Sequence, residues 1–522
     1  MSDAYGTDAT LVEGRSSAFE RASALAVGLS FLAFLFSWTA LFRITPPTSE
    51  LLGFTLYDLF GVGLVVVGAI VLGLGVASRT DVVTTTPSDT GGIAAATAFG
   101  LSALVAAGLL VSQTLGLGVI AWLPAALAAG AVTAVGVVGA REDIAATIPA
   151  GILAVGVGLL FLTGIIGPDW VWSPTGFAAS FHAPVVVPLL TILCSLLAAW
   201  PAAKASAGFG SRGRQTGAYL LIGINTFSIL AILVLLIAFV AMQGLPKLTD
   251  GFEIGLDGFA WPFITNVSQG IYVDIPGVLP AILGTAWLVV GAVLFAVPLG
   301  VGAALFLTEY ADEGGFTRIV EIATNGLWST PSIVFGLFGY AFLVPRFGNT
   351  TSLFAGMLVL GFMLLPLVLI TSREAIISVP DEYRDASAAL GVSQWQTIRS
   401  VVLPASVPGI VTGVILGVGR IAGETAPILV VMAGSPFPNS TPNVLGSFAF
   451  TTTPPFITND ALLTSASALP YQLYATITAG VGATDVEAFG WGTALVLLLV
   501  VLSFYAIGIA TRAYFRRKLR YE

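Results

Sequence analysis

Charge is what this 522-residue chain has least of. Asp, Glu, Lys and Arg together make up 9% of it, against about 25% in an ordinary soluble domain. Lysine is confined to Lys204, Lys247 and Lys518. The one cysteine, Cys194, cannot close an internal disulfide, and the one histidine, His182, cannot build a metal site alone. With one histidine outside the core, no Ser/His/Asp set is available, and no metal-ligand cluster is visible. No G-x-x-x-x-G-K-[ST] stretch occurs, so the chain lacks the usual loop for cradling ATP phosphates. These absences argue against an enzyme and against a cofactor bound by this chain, and nothing points to nucleic acid.

What is present is apolar. Hydrophobic residues make up 56% of the chain, and several uncharged runs reach the roughly 20 residues needed to cross a bilayer. The runs do not alternate, which excludes a β-barrel, and 60 glycines suit close helix packing. The fold class read here is an all-α polytopic membrane protein of about 12 spans. Their approximate limits are 22–42, 54–77, 92–112, 118–139, 146–166, 183–203, 217–242, 277–307, 326–345, 351–371, 405–433 and 490–511. Placing both termini in the cytoplasm puts most of the arginines on one side, as the positive-inside rule requires. Arg79, Arg141, Lys204, Arg214, Arg318, Arg373, Arg384, Arg399 and the basic tail from Arg512 then all face inward. The net charge of −8, with arginine far above lysine, looks like a halophile's surface. Residues 1–20 show no basic signal region, so the first span is expected to stay as an anchor.

Residues 204–216, KASAGFGSRGRQT, read as a cytoplasmic linker. They separate a six-span extension at 1–203, of no evident role, from a second six-span domain at 217–522. Two outward stretches are long, 243–276 and 434–489. The first carries Asp250, Glu253, Asp257 and Asp274 among aromatics such as Trp261 and Tyr272. Each reads equally as a docking surface for an extracellular protein or as solvated linker, the second with an interfacial helix around 459–478.

The most informative segment is the polar island 379–408 between two apolar runs. Pro380 can open a helix, and Asp381 and Glu382 sit in its first turn, where the dipole favours acid. Tyr383 to Leu390 continues the helix, and Gly391 ends it. Ser393 caps a second short helix, and Pro404 is expected to break the chain before the next span. By its residues alone this is a short helix, a glycine elbow and a second short helix outside the bilayer, a pattern that an ordinary amphipathic interfacial helix fits equally.

The spacing of that island resembles the coupling-loop signature of permeases in ATP-binding-cassette (ABC) importers: E-A-A, three residues, G, nine residues, I, one residue, L-P. Asp385-Ala386-Ser387 stands at E-A-A, followed by Gly391, Val401 at the isoleucine, and Leu403-Pro404. The departures are Asp for Glu, Ser for Ala and Val for Ile. The resemblance implies that Glu382, Tyr383, Arg384, Asp385, Ala386, Ser387, Gly391, Leu403 and Pro404 belong to a loop, 379–404, that docks on a separate ATPase. It implies ATP and magnesium on that ATPase, not here.

Arg420 and Glu424 are expected in the middle of span eleven, where burying charge in lipid is costly. At i and i+4 they share a helix face and can pair. Arg420 either attracts an anion in transit, with Glu424 holding it and Thr425 beside it on the path, or serves as half of a structural ion pair. Arg suits a tetrahedral oxyanion because its fork donates several hydrogen bonds. The stretches R-I-A-G-E-T-A-P (420–427), W-S-T-P-S-I-V-F-G-L-F-G (328–339), G-V-L-P-A-I-L-G-T (277–285) and L-T-E-Y-A (307–311) resemble the PstA-type phosphate permeases of ABC importers. That resemblance, over about 217–520, implies a phosphate importer in the plasma membrane. Its partners would be a second homologous permease, an ATPase dimer and an extracellular phosphate-binding protein. A permease of the same class for another oxyanion and a secondary transporter stay open as alternatives. Glu309 reads as a solvated helix end or an ATPase contact. Ser329, Thr330 and Ser332 around Pro331 read as hydroxyls that re-satisfy loosened backbone or line a polar path.

Overall fold

The computed structural model describes residues 17–45, 49–51, 53–174, 178–255, 258–267, 277–312, 314–454, 456–479 and 486–521. Asp257, Tyr272 and Asp274 of the first long outward stretch, and residues 1–16, lie outside them. Among the described residues, eleven helices are long and apolar enough to cross a membrane. A bent pair makes twelve when counted as one span. The fold is the expected all-α polytopic one, and the chain is a multi-pass membrane protein.

The chain forms two compact units, Met1–Phe239 and Val240–Glu522. The first contains α1 (Ala18–Leu41), α2 (Leu56–Arg79), α3 (Ile93–Leu109), α4 (Val119–Gly139), α5 (Glu142–Leu162), α6 (Ala183–Ser206) and most of α7 (Gly210–Leu248). Ser17 and Thr55 open α1 and α2 with full capping boxes to Glu20 and Asp58. Within the unit, α2 lies along α5, α1 along α6 and α3 along α4. The α2–α5 seam depends on glycine: a Cβ at Gly68 would stand 2.8 Å from the Gly151 carbonyl. Lipid tails supply no hydrophobic drive between helices, so this close backbone approach is itself the source of packing energy.

The expected linker at 204–216 is mostly helical, because α6 runs through Ser206 and α7 starts at Gly210. The turn between them closes on a buried charge network. Lys204 and Glu142, 2% and 1% exposed at their side chains, pair at 2.7 Å. Glu142 also accepts from the backbone N–H groups of Ser88 and Gly210. Beside it Asp143 accepts from Ser78 and from Arg141. α5 therefore begins four residues before the expected span.

The second unit holds short α8 (Pro262–Thr265), α9 (Leu279–Glu309), α10 (Gly315–Ser329), α11 (Ser332–Phe338), α12 (Leu353–Ile377), α13 (Asp381–Ala389), α14 (Gln394–Thr397), α15 (Leu403–Ala422), α16 (Ala426–Val431), α17 (Asp460–Leu463), α18 (Leu469–Ala479) and α19 (Val486–Tyr521). α12 is its centre, packed along α9 and against α15, with Leu360, Leu364 and Val368 almost wholly buried. The long stretch after α16 carries a β-hairpin, Phe448–Phe450 with Ile457–Asn459, before α17 and α18.

Two expected spans are not straight. The one read at 326–345 is α10 and α11, bent by 103°. Thr330 precedes Pro331 and is driven out of the helical region, at ψ 131°. The hydroxyls of Ser329 and Thr330 both donate to the Gly326 carbonyl, which satisfies backbone loosened at the bend. The span read at 405–433 instead begins at Gln394 and ends at Ala422. Pro404 does not break it: a π-turn over Ile398–Val402 carries the helix into α15, widening the turn where Pro404 has no N–H to give.

Candidate functional site

Both groups of sequence-selected residues lie in the second unit. In the first, α13 opens after Pro380, its N-cap, and ends in a complete Schellman motif. Val392 N–H donates to the Ser387 carbonyl and Gly391 N–H to that of Ala388, with Gly391 left-handed at φ 71°. Ser393 caps the next turn in a box with Gln396. Glu382, Tyr383, Asp385 and Ala386 are exposed, as are Gly391, Leu390 and Trp395, while Ser387 is buried and bonds back to the Tyr383 carbonyl. Leu403 and Pro404 are half-buried at the start of α15. This elbow therefore presents Tyr383, Leu390 and Trp395 outward, each more than half exposed.

Its root is a residue the sequence reading misplaced. Glu309, at the end of α9, is neither solvated nor an open contact; its side chain is 8% exposed and pairs with Arg384 at 2.8 Å. The same guanidinium donates to the carbonyls of Val379 and Ile376 and to Asp381. Gln394 donates to the Glu309 carbonyl. Four further groups, from α12, the turn after it, α13 and α14, thus converge on one Arg–Glu pair. The hydrogen bond that Arg384 donates to Glu309 holds the guanidinium above its ordinary pKa, so the arginine stays charged at any ordinary pH.

The second group surrounds Arg420, at the last turn of α15. The expectation that Arg420 and Glu424 lie mid-helix is corrected: α15 stops at Ala422, and Gly423 takes the cap. Pro427 sits in the first turn of a new helix, α16, and Thr425 is its half-buried N-cap. Arg420 and Glu424 still face each other, Nε to Oε1 at 4.0 Å, a loose pair with side chains 41% and 18% exposed. The Arg420 guanidinium lies over the Trp328 ring of α10, 4.4 Å from its centroid, a cation–π contact. Gly419 leaves no room for a Cβ against Tyr505 of α19, whereas Gly423 faces open space. In α11, a Cβ at Gly336 would come within 2.8 Å of Pro427 Cα. The 328–339 and 420–427 stretches are thus packed on each other. Thr285, from the 277–285 stretch, accepts the Leu469 N–H that starts α18.

Chemically, this arrangement offers a guanidinium whose face is occupied by an indole and whose edge is only loosely held by a carboxylate. Its fork is partly open to solvent. An oxyanion can take the edge without dismantling the stack. Sequence inspection could not pair Trp328 with Arg420, because 92 positions separate them.

Comparison with known proteins gives the family. Residues 296–521 match the model described as binding-protein-dependent transport system inner membrane component. The phosphate transport system permease protein PstA of Haemophilus influenzae is 30% identical over 279 residues, 51% of this chain and 90% of that protein. The PstA of Mycobacterium leprae is 32% identical, covering 50% and 84%. The probable ABC transporter permease protein YqgI of Bacillus subtilis is 32% identical over 286 residues, covering 54% and 90%. A solved inward-facing methionine ABC transporter, MetNI, aligns over 46% of this chain and 95% of its own at 17% identity and TM-score 0.36. On the strength of relatives matched over most of their length, the chain belongs to the binding-protein-dependent transport system inner-membrane components, the permease subunits of ABC importers.

Proposed function

We propose that this chain is the permease subunit of an ATP-driven importer of inorganic phosphate. The observation that carries the proposal is the partly open Arg420 fork, stacked on Trp328 and loosely tethered to Glu424. The similarity to proteins named PstA supports phosphate as the anion. In this reading the second unit forms half of a pore, completed by a homologous permease. The α13–α14 elbow docks on an ATPase dimer, which binds ATP and magnesium, and an extracellular binding protein delivers the anion. Both termini face the cytoplasm, since that orientation places the basic tail and Arg373, Arg384 and Arg399 inside.

Closure of the ATPases would push the elbow. The Glu309–Arg384 pair passes that displacement to the ends of α9 and α12, the two helices at the centre of the unit. Arg420 meets the anion at the break after α15, and Glu424 competes for the fork, so binding stays weak enough for release. A permease of the same class for sulfate or molybdate would use the same fork, so substrate competition decides between them.

The test is uptake of labelled phosphate by cells lacking their own phosphate permease and supplied with this chain and its partners. Arg420→Ala should lower uptake by roughly 10- to 100-fold, the loss of one or two charge-assisted hydrogen bonds, with membrane assembly unchanged. Undiminished uptake in that variant would remove Arg420 from the path.

A further inference from the structure

We propose that Arg373 forms a second oxyanion station, two helical turns from Arg420 along the same face of α10. The proposal rests on the reading of Arg420 as an anion-binding group and extends it to another part of the second unit. Arg373, near the end of α12, pairs with Glu321 of α10 at 2.6 Å, with side chains 32% and 39% exposed. Glu321 and Trp328 are seven residues apart on α10, so they share one face at a separation of about 10 Å. Two arginines from two different helices, α12 and α15, therefore each contact one ridge of α10.

Three features of this place point to a ligand rather than to a lock. The pair borders a cavity of about 280 Å³, lined also by Leu307, Thr324, Asn325 and a second carboxylate, Glu374, enough for a tetrahedral oxyanion with several waters. The Nε of Arg373 is buried and has no hydrogen-bond partner, and a buried donor left unpaired calls for an explanation. Finally, the Glu321 contact occupies only one arm of the guanidinium, leaving the rest of a planar fork whose geometry matches an oxyanion. An oxyanion entering the cavity displaces Glu321, takes the Nε edge, and leaves when Glu321 returns. Arg373 and Arg420 then repeat one device, an arginine shared between a carboxylate and the passing anion.

The experiment uses the full chain in membranes without ATP. Asn325→Cys puts a thiol on the cavity wall, while the native Cys194 is buried and serves as the internal control. Its labelling by a neutral, water-soluble thiol reagent is followed against inorganic phosphate, with chloride at equal ionic strength as the blank. The proposal expects saturable protection by millimolar phosphate. It expects that protection to be lost in Arg373→Ala, weakened in Arg373→Lys, and kept in Arg420→Ala. Glu321→Gln removes the competitor and should lower the half-protecting concentration by up to roughly fivefold, the scale of a partly exposed ion pair. Absence of protection would show that the pair is only a lock between α10 and α12. Protection lost in Arg420→Ala but kept in Arg373→Ala would leave Arg420 as the sole station. Either result overturns the proposal. Should uptake by the parent fail while phosphate still protects Asn325→Cys, the second station stands and the import reading falls.

Discussion

The elbow at Gly391 yields a prediction whose size follows from geometry alone. Its φ of 71° lies in the left-handed region, and a Cβ built there meets nothing within 4 Å. Substitution therefore carries no steric clash with neighbours, only the backbone cost of holding a side chain in that conformation. For alanine this is about 1–2 kcal/mol, a factor of roughly 5–30 in the population of the Schellman turn. Asparagine tolerates the left-handed region better, and β-branched valine tolerates it worst. The expected order of transport coupled to ATP hydrolysis is Gly391, then Asn, then Ala, then Val. The assay is phosphate transported per ATP hydrolysed by the assembled complex, alongside thermal unfolding in detergent. Because the turn is exposed, the unfolding midpoint should hardly move while the coupling ratio falls. Equal coupling in Ala and wild type, or Asn no better than Ala, would refute the conformational argument and with it the role of this turn.

Other outcomes follow from the same contacts. Arg384→Ala and Glu309→Gln should each uncouple ATP hydrolysis from transport. The double variant should cost less than the sum, with an interaction energy of about 1–3 kcal/mol between partners in direct contact; strict additivity would deny the pair. Lys204→Met takes the lysine from Glu142 Oε1 but leaves Arg214 and the Ser88 and Gly210 N–H groups on Oε2, and should destabilise the first unit by less than the roughly 3–5 kcal/mol of a buried pair broken outright. Adding Glu142→Gln should restore most of that loss in the unfolding midpoint, whereas no recovery would mean the lysine acts by packing alone. Trp328→Leu removes the ring under Arg420 and should weaken uptake by less than Arg420→Ala does. An effect equal to that of Arg420→Ala would place the indole itself on the path.

Local signals were readable and long-range ones were not. The α13 elbow could be read residue by residue from Asp381, Gly391 and Ser393, because dipole, left-handed cap and N-cap act within a turn of the residue that carries them. Arg420 and Glu424 were found as a pair, but their setting was misjudged. Gly423 lies between them, and with a glycine and Pro427 in close succession the chain ends one helix and starts another. The i, i+4 rule assumes a helix that is not there, and the 4.0 Å separation is what remains of it. Pro404 taught the opposite lesson, since a π-turn absorbed a proline that local rules would read as a break. Lys204 and Arg141 looked like loop charges marking one side of the membrane. The structure buries Lys204 against Glu142, 62 positions away, a pairing no local pattern encodes. The same holds for Glu309 with Arg384 and for Trp328 with Arg420.

The central claim is tested most directly by phosphate accumulation in proteoliposomes containing this chain, the homologous permease and the ATPase, with the binding protein outside. The expected result is saturable uptake that requires ATP, is displaced by unlabelled phosphate but not by sulfate or molybdate, and is lost in Arg420→Ala. Uptake that proceeds without the ATPase, or that is displaced by sulfate as readily as by phosphate, would contradict it.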